Sequence, residues 1–374
     1  MTVTTDLADH RYRALPADLA AVPEVERLLQ GLGLGRLLPD RIVSYSGRND
    51  NWSGPTTEGV EVFVKHLGGP TEDAKRRLRN LLAFEELLVT APQQLSPLRG
   101  PRCLGWSEKD LLVAFELVPS AVSGAERADS GDYTQQDAFR VGAAIGTLHG
   151  LDRVGRVRLD ASSPGLPPVA ALTALSLEKY RTASAAELRL WSILQHDEEL
   201  TAGIRTLRER ESLAMQCPVH GDFRLDQLLF AGDVVHLLDF EELRRGDPAR
   251  DIGAYVGEWL HRAIGKLSGP GRGADAAETA PSAKEMLGRA TRELARTRPL
   301  IERFREGYGA AGTAPDAALR ERSAAFAGWH LIDRVLAQSV QRSTLTPVQR
   351  AALGIARTLL VSPAAVTATL GLED

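Results

Sequence analysis

The chain has 374 residues, of which 43% are apolar, 45 are basic and 49 are acidic, so its formal net charge is −4. This composition is typical of a globular protein with two domains or one large bilobed unit, and it excludes collagenous, disordered and coiled-coil proteins. The net charge is too small to hold a nucleic-acid backbone, and no cluster of Lys and Arg is interleaved with aromatic residues, so no nucleic-acid partner is expected. The two cysteines, Cys103 and Cys217, lack zinc or CxxC spacing and are interpreted as reduced thiols.

Neither end of the sequence carries a membrane signal. The N-terminal run MTVTTDLADHRYRAL mixes Asp, His and Arg where a signal peptide needs an uninterrupted apolar stretch. The longest late apolar segment, 358–372, contains Pro363 and is too short to span a bilayer. We therefore expect a cytoplasmic protein with no membrane partner.

The first part of the chain combines helical and strand-like patterns. In chain order, they predict a leading helix or helix pair at 16–38, strands at 41–45 and 60–67, a helix at 71–89 and a hairpin at 102–118. The turn-rich run SGRNDNWSGPTTEG is predicted to be the loop that joins the two strands. These patterns divide the region into an N-terminal helical extension at 1–40 and a small, strand-rich lobe at 41–118.

After Pro119 the patterns become mainly helical, which predicts a larger helical lobe at 119–374. Strand-like segments return only around 218–241, where short apolar runs flank charged loops. The segment 268–283, SGPGRGADAAETAPSA, is small, polar and punctuated by Pro and Gly, and it predicts a mobile surface loop.

The residues suited to chemistry are concentrated between 217 and 253. Asp222 and Gln227 are five positions apart on one predicted loop, and Asp239 follows the apolar run VVHLL. A hairpin formed by the two apolar runs would bring Asp239 back beside the first loop. Oxygen donors in an open arrangement suit Mg²⁺ carried on a nucleotide triphosphate better than zinc or copper.

The order of these parts is similar to that in eukaryotic-like kinases, and HGD in place of HRD resembles the aminoglycoside phosphotransferase and choline kinase branch. This resemblance implies an α+β, bilobed protein-kinase-like fold, with a small β-rich N-lobe and a large helical C-lobe, and the use of ATP and Mg²⁺. Under it, Asp222 accepts the proton of the acceptor hydroxyl, and Gln227 and Asp239 hold Mg²⁺ against the phosphates. Arg224 lies where many protein kinases carry a Lys near the transferred phosphoryl group. Gln227 departs from the usual Asn by one methylene.

The same resemblance implies nucleotide-binding residues in the small lobe. Lys65 would hold the α- and β-phosphates and be steadied by Glu85, although helix phase alone decides between Glu85 and its neighbour Glu86. The loop GRNDNWSG is not G-x-G-x-x-G, yet its backbone amides and Asn51 could cover phosphates. The expected hinge residues are Phe115, Glu116, Leu117 and Val118.

A closer resemblance rests on four strings, GRNDNWSG, VFVKHLGG, HGDFRLDQLL and GDPARDIG, which together are similar to the kinase subunit of class V lanthipeptide synthetases. It implies phosphorylation of Ser or Thr hydroxyls in a ribosomally made precursor peptide. A separate lyase would then remove the phosphate to leave a dehydroamino acid, and a cyclase would add Cys thiols to it.

Several interpretations compete with these assignments. His220 is expected to brace the catalytic loop rather than act as a base, and His149 is expected to be a packing residue. The charged run 244–251 is interpreted first as a brace for the catalytic segment, with a solvated charged loop and a part of the acceptor cleft as the alternatives. One alternative function is a small-molecule kinase for aminoglycoside-type antibiotics, whose cationic substrates would need acids such as Glu241, Glu242 and Glu258. A second alternative is a pseudokinase-like scaffold that transfers nothing.

Overall fold

A computed structural model describes residues 18–45, 47–90, 97–151, 157–267, 283–312 and 318–373. The chain divides into two compact units. The first comprises Met1–Asp129, Arg153–Asp160 and Asp226–Arg244, and the second comprises Ser130–Asp152, Ala161–Leu225 and Arg245–Asp374. The first unit therefore continues past the predicted lobe boundary near Val118 and also takes in a late segment of the chain.

The strands are β1 (Val43–Tyr45), β2 (Asp50–Pro55), β3 (Glu61–His66), β4 (Cys103–Ser107), β5 (Leu112–Glu116), β6 (Val122–Ser123), β7 (Cys217–Val219), β8 (Leu228–Ala231), β9 (Val234–Leu237) and β10 (Arg244–Gly246). The longer helices are α1 (Pro23–Gly31), α2 (Thr71–Thr90), α4 (Gln135–Gly150), α6 (Ala185–His196), α7 (Glu198–Leu213), α8 (Ala249–Lys266), α9 (Ala283–Ala310), α10 (Leu319–Ser339) and α11 (Pro347–Val361). Shorter helices are α3 (Gly124–Ser130), α5 (Leu177–Thr182) and α12 (Thr367–Leu370).

An antiparallel sheet of five strands, in the order β1-β2-β3-β5-β4, forms the centre of the first unit. Trp52 of β2 and Val62 and Val64 of β3 are fully buried, and Val25 and Leu29 of α1 belong to the same core cluster. The alternation along β3 thus sends every second side chain into this core, as a half-buried strand requires.

The prediction that 46–59 is a joining loop is wrong for residues 50–55, which form β2. Asn51 and Trp52 are paired across the sheet with Lys65 and Val64. Asn, Ser and Gly favour turns, but burial of Trp52 together with the pairing to β3 outweighs that preference. The N-terminal helix is also shorter than the predicted 16–38, and residues 1–17 of the predicted extension lie outside the described residues.

Helix α2 begins at Thr71, with Glu72 and Asp73 in its first turn, where acidic side chains stabilise the helix dipole. It packs against a short 3₁₀ turn, Phe240–Glu242, by stacking Phe84 on Phe240. The predicted helix at 71–89 and the predicted hairpin at 102–118 are both confirmed.

The hairpin predicted between the catalytic segment and Asp239 is also confirmed. Strands β8 and β9 pair with Leu228 opposite Leu237, and the N–H of Leu238 donates to the carbonyl of Gln227 at 2.9 Å. Because this bond closes the strand ends, Asp239 follows directly beside Gln227.

The second unit is helical, and its closest helix pair is α4 with α9. At Gly142 a Cβ would lie 1.9 Å from the carbonyl oxygen of Phe304, and at Gly307 it would lie 2.0 Å from that of Phe139. Only glycine therefore permits this close backbone approach. The predicted mobile loop at 268–283 lies outside the described residues except for its last residue, which begins α9.

Among the described residues, no single helix is long and apolar enough to cross a membrane. Pro347–Val361 and Pro363–Leu370 meet the length and composition criteria only as a pair bent by 113°. Leu353, Ala356 and Leu359 of α11 are buried in the second unit, so its apolar face is part of a core.

Candidate active site

Within the first unit, the ammonium of Lys65 lies between two carboxylates. Its Nζ donates to Oδ1 of Asp239 at 2.6 Å and to Oε1 of Glu241 at 2.7 Å. Burial alone would lower the pKa of Lys65, but the two carboxylates outweigh it and raise that pKa above its ordinary value. The structure therefore brings Lys65 and Asp239 together, as the sequence predicts, and adds a second acid that the sequence analysis treated as a possible substrate contact.

The prediction that Glu85 steadies Lys65 is wrong. Glu85 accepts a hydrogen bond from the backbone N–H of Cys103, and its burial raises the pKa of Glu85 to about 7. The neighbouring alternative, Glu86, is exposed. Helix phase correctly turns Glu85 inward, but inward at that point of α2 means toward β4 and away from Lys65.

From α2, the cation Arg77 contacts the Lys65 cluster, and its side chain is fully buried. Its Nη1 donates to Oε2 of Glu241 and to Oδ1 of Asn49, both at 2.8 Å. The sequence analysis missed both Arg77 and Asn49. A signal was available, because Arg77 falls in the buried stripe of α2 beside Ala74 and Leu78, where a charge requires a buried partner.

Two of the predicted metal- and phosphate-binding residues have features that suit an absent ligand. Asp239 has φ 63°, a left-handed backbone conformation that is uncommon for residues other than glycine. Such a conformation usually persists only where the surrounding structure enforces it. The side chain of Asn51 donates from Nδ2 to the carbonyl of Asn49 at 3.3 Å, but its buried Oδ1 has no hydrogen-bond partner among the described residues. Gln227 is buried beside the backbone of Leu238.

The predicted hinge, residues 115–118, leaves the sheet at the end of β5. The backbone N–H of Glu116 donates to the carbonyl of Arg102 and that of Leu117 to the carbonyl of Glu61, so both are engaged within the first unit. The Glu116 side chain forms an exposed ion pair with Arg102 at 2.8 Å. Neither residue thus offers its N–H to a nucleotide base in this conformation.

In the second unit, the HGD loop is held by Asp251 of α8. The carboxylate of Asp251 accepts the N–H of His220 at 2.7 Å and the N–H of Gly221 at 3.0 Å, and it lies 3.0 Å from Nε2 of His149. Gly221 has φ +83°, a conformation that side chains disfavour. The bracing role predicted for the 244–251 run is confirmed for Asp251, and His149 does more than pack, because its Nδ1 also contacts the Tyr308 hydroxyl at 3.0 Å.

Three further residues of the charged run 244–251 also have internal partners. Asp247 accepts two hydrogen bonds from Arg322, at 2.6 and 3.1 Å, with both side chains buried. Arg250 pairs with Glu211, and Arg245 donates to the carbonyl of Gln216 at 3.0 Å. This pattern agrees with a brace and leaves these charges directed inward.

The predicted base, Asp222, lies near two arginines, Arg224 and Arg334, and one acid, Asp333. Arg224 approaches its carboxylate at 3.4 Å, and the Asp222 side chain remains 44% exposed. The atoms that enclose Asp222 raise its pKa, while the charges of Arg224 and Arg334 act in the opposite direction. His220 is fully buried, and its Nδ1 lies 3.4 Å from the N–H of Asp222, which agrees with the expected structural role.

Within the described residues, no cluster of three or more His, Cys, Asp or Glu side chains is arranged to hold a metal ion. The candidate donors in the first unit are instead a carboxylate and an amide, Asp239 and Gln227. All of these donor atoms are oxygens, which suits a hard cation that shares its coordination with a ligand.

Comparison with known proteins identifies the class of this chain. Residues 49–300 match the model of the phosphotransferase enzyme family, APH. The match covers more than half of the chain, and the chain belongs to this family. No match was found among curated protein sequences.

Solved structures confirm the fold. The amicoumacin kinase hAmiN, in complex with AMP-PNP, Ca²⁺ and Ami, is 13% identical, with a TM-score of 0.54 over 92% of this chain and 95% of that chain. The choline kinase LicA from Streptococcus pneumoniae is 13% identical, with a TM-score of 0.55 over 92% of this chain and 99% of that chain. The predicted α+β, aminoglycoside phosphotransferase type of fold is thereby confirmed, and the chain is a phosphotransferase enzyme.

Proposed function

We propose that this phosphotransferase uses ATP and Mg²⁺ to phosphorylate Ser and Thr hydroxyls of a ribosomally made precursor peptide, as in class V lanthipeptide biosynthesis. The observation that carries the choice of acceptor is the charge beside the predicted base: Arg224 lies 3.4 Å from Asp222, and Arg334, which also acts on Asp222, is paired with Asp333 at 2.6 Å, so these arginines balance the two aspartates. A balanced site suits a neutral peptide hydroxyl, whereas a polycationic antibiotic needs an excess of acidic groups. The four sequence strings shared with the class V kinase subunit support the same acceptor.

In the proposed reaction, the hydroxyl oxygen of Ser or Thr bonds to the γ-phosphorus as the bond from that phosphorus to the bridging oxygen of ADP breaks. The hydroxyl proton passes to the carboxylate of Asp222, whose raised pKa suits it to accept a proton. Lys65 holds the α- and β-phosphates, and Arg224 neutralises charge near the transferred group. Asp239 and Gln227 would hold Mg²⁺, which offsets the negative charge of the phosphates when it is bound.

Two features of the first unit support nucleotide binding. The buried Oδ1 of Asn51 lacks a partner among the described residues and can accept a hydrogen bond from a ligand or its water. The left-handed backbone of Asp239 is a conformation that costs free energy, which is typical of a ligand-binding position.

The acids that an aminoglycoside kinase would need are already paired. Glu241 is held by Lys65 and Arg77, and Glu242 lies 3.1 Å from Arg76. Glu258 lies 3.3 Å from His330 and 3.1 Å from Arg262. Burial acts to raise the pKa of Glu258, but the hydrogen bond with His330 and the charge of Arg262 outweigh it and lower that pKa to about 2. Three carboxylates that serve internal cations do not form an acidic acceptor surface, so the antibiotic-kinase alternative loses its main support.

The proposal also implies partners. A lyase that eliminates the phosphate and a cyclase that adds Cys thiols must receive the product, because a phosphorylated peptide is an intermediate and not a mature lanthipeptide. We propose that such subunits associate with this chain, and co-purification with neighbouring gene products tests this.

The deciding experiment offers Mg-ATP with either a leader-bearing core peptide or a panel of aminoglycosides, and scores phosphate gain by mass. We expect phosphopeptide and no phosphorylated aminoglycoside. Asp222→Asn should retain the nucleotide-induced rise in unfolding free energy, about 2.7 kcal/mol at a hundredfold excess over Kd, yet lose transfer by about a hundredfold or more. Phosphate on aminoglycosides alone would overturn the choice of acceptor, and full activity of Asp222→Asn would overturn the base assignment.

A further inference from the structure

We propose that Glu241, anchored by Arg77 of α2, is the positioning residue for Lys65 in this enzyme, in place of an acid on α2. This inference rests on the proposed use of ATP and concerns residues of the first unit only. It replaces the Lys65–Glu85 pair with a chain of three charges, Lys65, Glu241 and Arg77.

The contacts of Glu241 fix both of its carboxylate oxygens. Oε1 accepts from Lys65 at 2.7 Å and from Nδ2 of Asn49 at 2.5 Å, and Oε2 accepts from Arg77 at 2.8 Å. The backbone carbonyl of Glu241 accepts from Nδ2 of Asn80 at 2.7 Å. Since the Glu241 side chain is only 7% exposed, the Lys65 ammonium meets a carboxylate with a defined orientation.

Arg77 is in turn held on every side. Its Nε donates to Asp73 at 3.0 Å, one Nη donates to Asn49 and Glu241, and the other donates to the carbonyl of Gly68. A guanidinium with these partners cannot turn away without leaving buried charges unpaired. Arg77 therefore ties α2 to Glu241 and, through Glu241, to Lys65 of β3.

Glu85 cannot perform this role from its position. It lies eight residues beyond Arg77 on the same helix, which corresponds to about 12 Å along the axis at 1.5 Å per residue. Its carboxyl accepts the N–H of Cys103, at the start of β4. Glu85 therefore contacts the edge strand β4, whereas Arg77, eight residues earlier on α2, contacts the Lys65 cluster.

The arrangement also explains why Lys65 has two acidic neighbours. Asp239 is the proposed metal ligand, so its carboxylate is expected to engage a cation when nucleotide is bound. While Asp239 engages that cation, Glu241 continues to hold the Lys65 ammonium and to orient it toward the phosphates. Glu241 thus keeps Lys65 in place while Asp239 is available to the metal.

The test compares Glu241→Gln with Glu85→Gln, and uses Glu242→Gln as the matched control, because Glu242 is adjacent but pairs with Arg48 and Arg76 instead. For each variant, ATP affinity is measured by titration, and the reactivity of Lys65 toward an acylating reagent at pH 9 is measured by peptide mass analysis. We expect Glu241→Gln to weaken ATP binding at least tenfold and to increase Lys65 acylation severalfold, while the other two variants stay within twofold of wild type.

Three results would overturn the inference. The first is a tenfold loss of ATP affinity in Glu85→Gln with none in Glu241→Gln. The second is weaker binding in Glu241→Gln with Lys65 reactivity unchanged, which indicates a purely structural role. The third is a changed Mg²⁺ requirement in Glu241→Gln with unchanged Lys65 reactivity, which indicates a metal ligand.

Arg77→Lys keeps the inference testable if Glu241→Gln does not fold. This variant retains the positive charge but loses the forked contact with Glu241 and Asn49, so it should show the same two changes at smaller amplitude. Wild-type affinity and reactivity in Arg77→Lys would refute the anchoring role. None of these measurements uses an acceptor, so a failure of the peptide-kinase proposal can be told apart from a failure of this inference. If only the peptide-kinase proposal fails, ATP binds and the variants differ as stated, but no peptide is phosphorylated.

Discussion

Replacement of Asp251 by Asn should loosen the HGD loop without altering any predicted catalytic side chain. The Asp251 carboxylate is 1% exposed and accepts two loop N–H groups, at 2.7 and 3.0 Å, besides its contact with His149. Hydrogen bonds to a charged acceptor contribute about 1.5–3 kcal/mol each. The amide of Asn has only one acceptor oxygen, and its NH₂ group would face one of the two loop N–H groups, which cannot accept a hydrogen bond. Loss of one such bond and weakening of the other predict a decrease in unfolding free energy of about 3 kcal/mol.

The measurement is urea unfolding of the full chain, followed by kcat on whichever acceptor is phosphorylated. Glu321→Gln is the control, because its exposed ion pair with Arg210 lies in the same unit and should contribute less than about 1 kcal/mol. We expect kcat of Asp251→Asn to fall at least tenfold under conditions where the variant is fully folded, since Asp222 follows the two residues that Asp251 holds. If stability and kcat of Asp251→Asn both matched those of Glu321→Gln, the bracing argument would be refuted.

Three other predictions follow from buried or crowded charges. Glu85→Gln should stabilise the protein at pH 8 by about 1 kcal/mol after allowance for solvent screening, because the pKa of Glu85 in the folded state, about 7, lies above its ordinary value and the charged carboxylate is therefore penalised at this pH. The gain should vanish by pH 5, where the carboxyl of the folded protein is protonated. Equal gains at both pH values would contradict this. Arg322→Met should cost about 3–5 kcal/mol in urea unfolding by leaving Asp247 buried without its bidentate partner, and addition of Asp247→Asn should recover part of the loss, so simple additivity would contradict a buried pair. Arg334→Met should move the acid limb of kcat/KM to higher pH, because removal of this cation raises the pKa of Asp222 further, and an unmoved limb would contradict the role of Asp222 as base.

The local parts of the site could be predicted from the sequence because each is defined by neighbours in the chain. Alternation locates β3 and hence Lys65, and the two apolar runs around Gly232 locate the hairpin that brings Asp239 beside Gln227. The bracing role of Asp251 was also expected from its place in the charged run. What the sequence could not give is which buried groups meet when α2, β3 and the 3₁₀ turn pack together.

The error at Glu85 shows why. Periodicity assigns a residue to the inner face of α2, but it does not say which point along that face meets Lys65. The actual partner, Glu241, is 176 positions from Lys65 in the chain, and no local pattern connects residues that far apart. The charge of Arg77 within an apolar stripe indicates that an acid must be buried nearby, and this argument from desolvation is the one that leads to Glu241.

The same reasoning limits what acidic residues in a sequence say about a substrate. Glu241, Glu242 and Glu258 appear in the sequence as acids near the catalytic segment, and a cationic acceptor seems a natural complement to them. Each has an internal cationic partner instead; Arg76, for example, is 166 positions from Glu242. Acids therefore predict a cationic substrate only after the internal cations have been assigned, and in this chain Glu241, Glu242 and Glu258 each have such a cation as a partner.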